Sequence, residues 1–244
     1  MKILPDGVVP GSDFHTTIHW EKQSMSWFTS FCSTSVGKKY IMASTGLLLG
    51  GFLLVHAAGN SSIFWGRDAF LSYAEHLHAL GPLVSVFEIT LLAVFSLHVV
   101  TGLALALENI KARSSRYVVQ HSAGGRTLGS RTMPYTGLVI LGFIWMHLQN
   151  VHFTDHHSRT IADIVSTILA NPAYTVLYGL GLLALALHIS HGFWSMFQSI
   201  GLNHPRYDRL IRVSAWIGCG FIVSIFFVIV LLLISNSNWL GQLA

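Results

Sequence analysis

The segment STGLLLGGFLLVH, residues 44–56, is an apolar run that closes on a histidine, and a close copy, YTGLVILGFIWMH, occupies residues 135–147. Thr, Gly, Leu, Gly, Phe and His recur in register, six identities in thirteen positions, at a shift of 91 residues (147 − 56). A second pair of phrases repeats at nearly the same distance. GPLVSVFEITLLAVFSLHVVTG runs over 81–102 and NPAYTVLYGLGLLALALHISHG over 171–192. Each carries a proline 16 residues before a histidine (Pro82 and His98, Pro172 and His188) and a glycine four residues after it, at a shift of 90 (188 − 98). Two helical segments are thus repeated in order as the next two.

These segments have the length and composition of membrane spans. The chain of 244 residues is 52% hydrophobic and only 10% charged, with a mean hydropathy of +0.57. A soluble domain carries roughly 25% charged residues. Crossing a bilayer takes about 20 largely apolar residues, and five segments meet that need: 39–59, 82–107, 134–153, 172–198 and 212–235. Pro82, Pro134 and Pro172 stand where three of them begin, where a missing N–H costs least. The expected fold is all-α and integral to the membrane, with five transmembrane helices. Its first four form a duplicated two-helix unit, a four-helix bundle over 38–235, between an N-terminal arm 1–37 and a short tail 236–244.

Basic residues orient it. Lys2, Lys22, Lys38 and Lys39 precede the first span; Lys111, Arg113, Arg116, Arg126 and Arg131 follow the second; Arg206, Arg209 and Arg212 follow the fourth. The other two connections hold only Arg67 and Arg159. The positive-inside rule then puts the N-terminus in the cytoplasm and the C-terminus outside. The net charge of +4 is a topology signal and gives no reason to expect a nucleic-acid partner. The arm has no apolar core with a small-residue cleavage site, so no signal peptide is expected. Its Trp20, Trp27, Phe28 and Phe31 suit an interfacial or docking segment, or a loose tail. Cys32 and Cys219 are too far apart in the expected topology for a disulfide, and no C-x-x-C-H occurs for covalent haem attachment.

The histidines carry the chemistry. In alternating helices His56 and His147 fall near the outer face, and His98 and His188 near the inner one, with levels about 15–20 Å apart by helix rise. A lone buried histidine in a membrane helix is ordinarily an interhelical hydrogen-bonder. Four at matched depths on a duplicated hairpin call for a shared partner, because polar groups at that depth are costly unless satisfied. A haem iron with one neutral imidazole on each face fits twice. Gly102 and Gly192, at i+4 from their histidines, leave room for a flat ring, and Phe52 and Phe143, at i−4, suit packing against it. His152 and His191 are rival ligands within the third and fourth spans, but only His147 and His188 have counterparts in the first two.

On TGLLLGGFLLVH, LAVFSLH, TGLVILGFIWMH and LALALHISHG, the chain resembles the di-haem cytochrome b membrane subunit of succinate dehydrogenases and fumarate reductases, of the five-helix, single-chain type. The resemblance covers about residues 38–235. It implies two b haems held by His56, His98, His147 and His188. It also implies a cytoplasmic flavoprotein subunit and an iron–sulfur subunit as partners, and electron transfer to a quinone in the cytoplasmic membrane. The arm and the loops 108–133 and 199–211 would face the iron–sulfur subunit. The single-chain type suggests menaquinone near the outer haem, where Glu75, His76, His78, Gln149, Asn150 and His152 are candidate contacts, with Glu88 a further carboxylate within the second span. Succinate chemistry itself would lie on a partner. Rival readings are the cytochrome b of another respiratory complex, of hydrogenase or formate dehydrogenase type, or a metal-ion transporter using His152, His156 and His157. HFTDHH (152–157) has the form of one di-iron desaturase box, but stands alone and on the outer side.

Overall fold

A computed structural model describes residues 26–112, 128–156, 158–202, 204–235 and 240. Among the described residues the chain is all-helical: α1 (Ser26–Ser33), α2 (Ser35–Asn60), a 3-10 turn (Ser61–Trp65), α3 (Arg67–His78), α4 (Pro82–Lys111), α5 (Leu128–Val151), α6 (Ile161–Ala170), α7 (Pro172–Ser199) and α8 (Pro205–Ser235). Lys2, Lys22, Arg113, Arg116, Arg126, Trp20, His157 and the expected tail 236–244, apart from Leu240, lie outside the described residues.

Helix starts follow local chemistry. Thr34 caps α2 by accepting the Gly37 N–H (2.9 Å), and Asn171 caps α7 by accepting the Ala173 N–H (2.9 Å). Pro82 and Pro172 occupy first turns, as expected, where no backbone donor is lost. Pro134 differs. It lies inside α5, which begins six residues earlier at Leu128. Proline removes one donor and crowds the preceding turn, yet membrane helices tolerate this where side chains satisfy the freed carbonyls. The N–H that Pro134 lacks would have met the Ser130 carbonyl; one turn earlier the Thr132 hydroxyl donates to the Leu128 carbonyl (2.9 Å).

Among the described residues four helices are long and apolar enough to cross a membrane: α2 with the turn that follows it, α4, α7 and α8. The remaining long helix, α5, has 24 residues and is more polar, with Arg131, Thr132, Thr136, His147, Gln149 and Asn150. Large apolar side chains point outward along all of them. On α4, Leu83, Val86, Ile89, Leu92, Leu97 and Val100 are exposed while only Thr101 is buried. Surface of that kind and extent is covered by lipid in an integral membrane protein.

The helices pack with α2 between α4 and α7, and with α7 flanked by α5 and α8; α8 also reaches α2, and α4 touches α5 only lightly. Both ends are fastened. At one, Lys38 pairs with Glu108 across α2 and α4. Between α7 and α8, Trp194 Nε1 donates to Asp208 (3.0 Å), and Arg212 both bonds Asp208 (2.8 Å) and lies over the Trp194 ring (4.2 Å). At the other end the connections that hold Arg67 and Arg159 contain helices, α3 and α6. There Ile63, Phe70, Ala162, Leu169, Leu233 and Leu240 form an apolar core under α3 and α6. Arg67 clamps it, donating to Asp163 Oδ1 and the Leu240 carbonyl (both 2.8 Å) and to Thr160 (3.1 Å).

Candidate functional site

The bundle brings the four histidines together as two pairs. His56 of α2 faces His147 of α5, with ring centroids 6.1 Å apart and planes at 82°. His98 of α4 faces His188 of α7 at 6.4 Å and 67°. Two imidazoles on opposite faces of one six-coordinate metal, with bonds of about 2 Å, have ring centres roughly 6 Å apart. The residues therefore fit a metal between each pair. Thr45 lies against His98, and His56 stands eleven residues further along α2 (56 − 45). At 1.5 Å per residue the two levels are about 16 Å apart. Thr136, against His188, and His147 repeat that interval on α5.

The surroundings also occur twice. Phe52 stacks on His56 (5.3 Å, 22°) and Phe143 on His147 (5.8 Å, 22°). His98 lies over Gly46 and His188 over Gly137, each with Cε1 3.5 Å from where a glycine Cβ would stand. Gly102 and Gly192 face Met42 and Met133, at 3.6 and 4.0 Å by the same measure. Two differences break the copy. Tyr178 OH lies 3.3 Å from His147 Nδ1, whereas the His56 ring has Phe226 of α8 beside it (5.5 Å). Thr45, Thr136, Gly46, Gly137, Tyr178 and Phe226 were not singled out from the sequence. The repeated Thr–Gly in the opening phrases was the available signal for the first four.

The rival ligands lie elsewhere. His191 packs against Gly129 and Trp194. His152 stands beside Phe153 and 3.8 Å from Glu88, both partners half exposed. His156 donates to the Val151 carbonyl (2.9 Å). Among the described residues no group of three or more His, Cys, Asp or Glu side chains converges. Both cysteines are free, and Cys219 donates to the Ala186 carbonyl (3.4 Å).

The six residues expected near a quinone fall into two groups. Glu75, His76 and His78 are exposed on α3, where His76 and His78 donate Nδ1–H to the Ser72 and Ala74 carbonyls (2.6 and 2.8 Å). Gln149, Asn150 and His152 end α5. Among the described residues no hydrogen bond or ion pair joins the groups. Asn150 lines an open cleft of about 200 Å³ with Thr154, Arg159, Thr167, Asn171 and Tyr174. At the same end the Arg67 guanidinium and then the Thr160 hydroxyl hold the Asp163 carboxyl well below the usual carboxylate range, and Arg67 is pushed up in turn.

An all-helical integral membrane protein with two opposed imidazole pairs inside its bundle is the class that these features define. Over 165 residues the chain is 26% identical to the succinate dehydrogenase cytochrome b558 subunit of Bacillus subtilis (strain 168), an alignment spanning 66% of this chain and 78% of that one. The resemblance to the succinate dehydrogenase membrane-anchor cytochrome b is borne out by this similarity. No family model matches the chain, and no solved structure matches it.

Proposed function

We propose that the chain is the membrane-anchoring cytochrome b of a succinate dehydrogenase or fumarate reductase, with five spans and two b haems, one between each histidine pair. The observation that carries this reading is the double pairing itself: four helices give two imidazole pairs at 6.1 and 6.4 Å. The similarity to a succinate dehydrogenase cytochrome supports the choice of complex. Bound there, haem supplies one-electron sites at two depths in the membrane.

The chain's own residues hold and insulate those sites. His98 and His188 ligate near the cytoplasmic face, toward the Lys38–Glu108 end. His56 and His147 ligate near the outer face, below the corner built by α3 and α6. Phe52 and Phe143 fix the planes of the outer imidazoles by stacking, and the apolar bundle keeps all four neutral and able to bind metal. The arm 1–37 and the two basic loops face an iron–sulfur subunit, which joins the chain to a flavoprotein subunit where succinate or fumarate reacts. The quinone, in this reading menaquinone, is taken at the outer end. Donors there include Asn150 and Gln149, and Glu75, Glu88, His152 and the α3 histidines are groups able to exchange protons.

The test is a reduced-minus-oxidised spectrum with haem quantified per chain. Two b haems are expected. His98→Ala or His188→Ala should remove the inner one, and His56→Ala or His147→Ala the outer one. Retention of both haems in any of the four variants overturns that ligand, and a colourless wild-type chain made with haem present overturns the cytochrome reading.

A further inference from the structure

We propose that Thr45 and Thr136 are positioning residues for the inner histidines: each accepts the Nδ1–H of its histidine and so turns the Nε2 lone pair toward the opposed imidazole. This rests on the haem reading above.

A threonine hydroxyl has one hydrogen to give and lone pairs to accept with. Thr45 Oγ1 donates to the Ile41 carbonyl at 2.7 Å, with the Met42 carbonyl at 3.3 Å. Thr136 Oγ1 donates to the Thr132 carbonyl at 3.0 Å, with the Met133 carbonyl at 3.1 Å. Both hydroxyl protons are therefore used within their own helices. His98 Nδ1 lies 2.9 Å from Thr45 Oγ1, and His188 Nδ1 lies 3.2 Å from Thr136 Oγ1. With no hydroxyl proton left to point at the ring, Nδ1 must be the donor. A neutral imidazole protonated at Nδ1 carries its free lone pair on Nε2. That is the tautomer a shared metal requires.

The threonine contact occurs at both inner histidines. The threonines are 91 residues apart (136 − 45), both are buried, and each is followed by the glycine over which its histidine lies. A buried threonine bonded to its own helix needs no second partner, so the repeated contact calls for a use. The outer pair does not repeat it: neither outer histidine has a threonine at Nδ1, and only His147 meets a hydroxyl there. His56 Nδ1 has only the amide nitrogen of Asn60 at 3.4 Å, and His147 Nδ1 has the Tyr178 hydroxyl at 3.3 Å. An acceptor on Nδ1–H makes the ligating nitrogen more basic and favours the oxidised metal. The threonines therefore hold the inner haem at a lower potential than its histidines alone would.

Thr45→Val and Thr136→Val test this, each with the serine variant, in the full chain assembled with its partner subunits and followed by redox titration of the two haem bands. In the valine variants both haems should bind. The inner midpoint should rise by about a tenfold change in the oxidation equilibrium, about 59 mV for one electron. The outer midpoint should stay, and serine should restore the wild-type value. Thr45→Val should act more strongly, because its bond is the shorter. Two haems with unmoved potentials in both valine variants would overturn the role of the threonines and leave the ligands standing. If valine costs the inner haem outright, recovery of haem and potential by serine supports the proposal, and a serine variant as defective as valine overturns it. A wild-type chain without haem would overturn both readings together.

Discussion

Gly181 controls the ring that lies on His147. A Cβ there would stand 2.5 Å from Phe143 Cδ2 and 2.7 Å from its Cγ, far inside contact distance. Phe143 has little room to yield, since it stacks on His147 and meets Tyr178 edge-on at 5.2 Å. Gly181→Ala should therefore cost about 1–3 kcal/mol, the usual range for overpacking, and, on the two-haem proposal, alter the spectrum of the outer haem alone. Gly220→Ala, where nothing lies within 4 Å of the added methyl, should instead gain up to about 1 kcal/mol through helix propensity. Thermal unfolding in detergent with haem absorbance as the signal measures both, and equal effects would remove Gly181 from the site. At this scale the sequence was legible where a residue repeats with its role. The four histidines and the two phenylalanines could be picked out because the repeat fixes their depth, and depth is set by rise along a single helix. Thr45, Thr136 and Tyr178 act across helices. Their contacts depend on how each helix is rotated about its axis, which spacing within one helix does not give.

Among the elements, α6 owes its start to a capping box in which the Thr160 hydroxyl accepts the Asp163 N–H and the Asp163 carboxylate accepts the Thr160 N–H. The same carboxylate holds Arg67 of α3, so one side chain both starts α6 and docks it. Its pKa is depressed in the folded chain. Its contribution is therefore present above the ordinary aspartate value, near 3.9, and is lost as pH falls below it. Hydrogen-exchange protection in α6, taken relative to the intrinsic rate at each pH, should be unchanged from pH 7 to 5 and fall below about pH 4. Asp163→Asn should show the lowered protection already at pH 7, and Thr160→Ala should cost about 1 kcal/mol, the usual worth of such a cap. Protection that ignores pH would assign the docking to apolar contacts alone. Neither α3 nor α6 was read from the sequence, because each is too short for a span and apolar length was the signal in use. The T-x-x-D at 160–163 marked the start of α6 all the same. Pro134 misled in the opposite sense: it drew the start of α5 to itself, whereas Thr132 and the turn before it carry the helix back to Leu128.

For the whole molecule, α5 decides the topology. The other long helices, α2, α4, α7 and α8, are apolar enough to span without argument. An even number of spans would return the chain to its starting side, and α5 as the fifth puts the two ends on opposite sides. At 1.5 Å per residue its 24 residues reach about 36 Å, against a hydrocarbon thickness of about 30 Å. Its mid-helix polar groups face the bundle: Thr136 is buried against His188, and His147 faces His56, while Arg131 and Gln149 nearer its ends are exposed. On the five-span proposal, lipid would then meet little of its mid-helix polarity. The basic residues agree, with five between α4 and the apolar part of α5 and one, Arg159, between α5 and α7. If α5 spans, residues just before and just after it lie on opposite faces. In a chain with Cys32 and Cys219 replaced, Ser158→Cys should react with an impermeant maleimide on intact cells, and Ala112→Cys should react only after the membrane is opened. Labelling of both from outside, or of neither, would mean that α5 does not cross. His147 could not then lie at the depth of His56, and the outer pair would be lost with the fifth span.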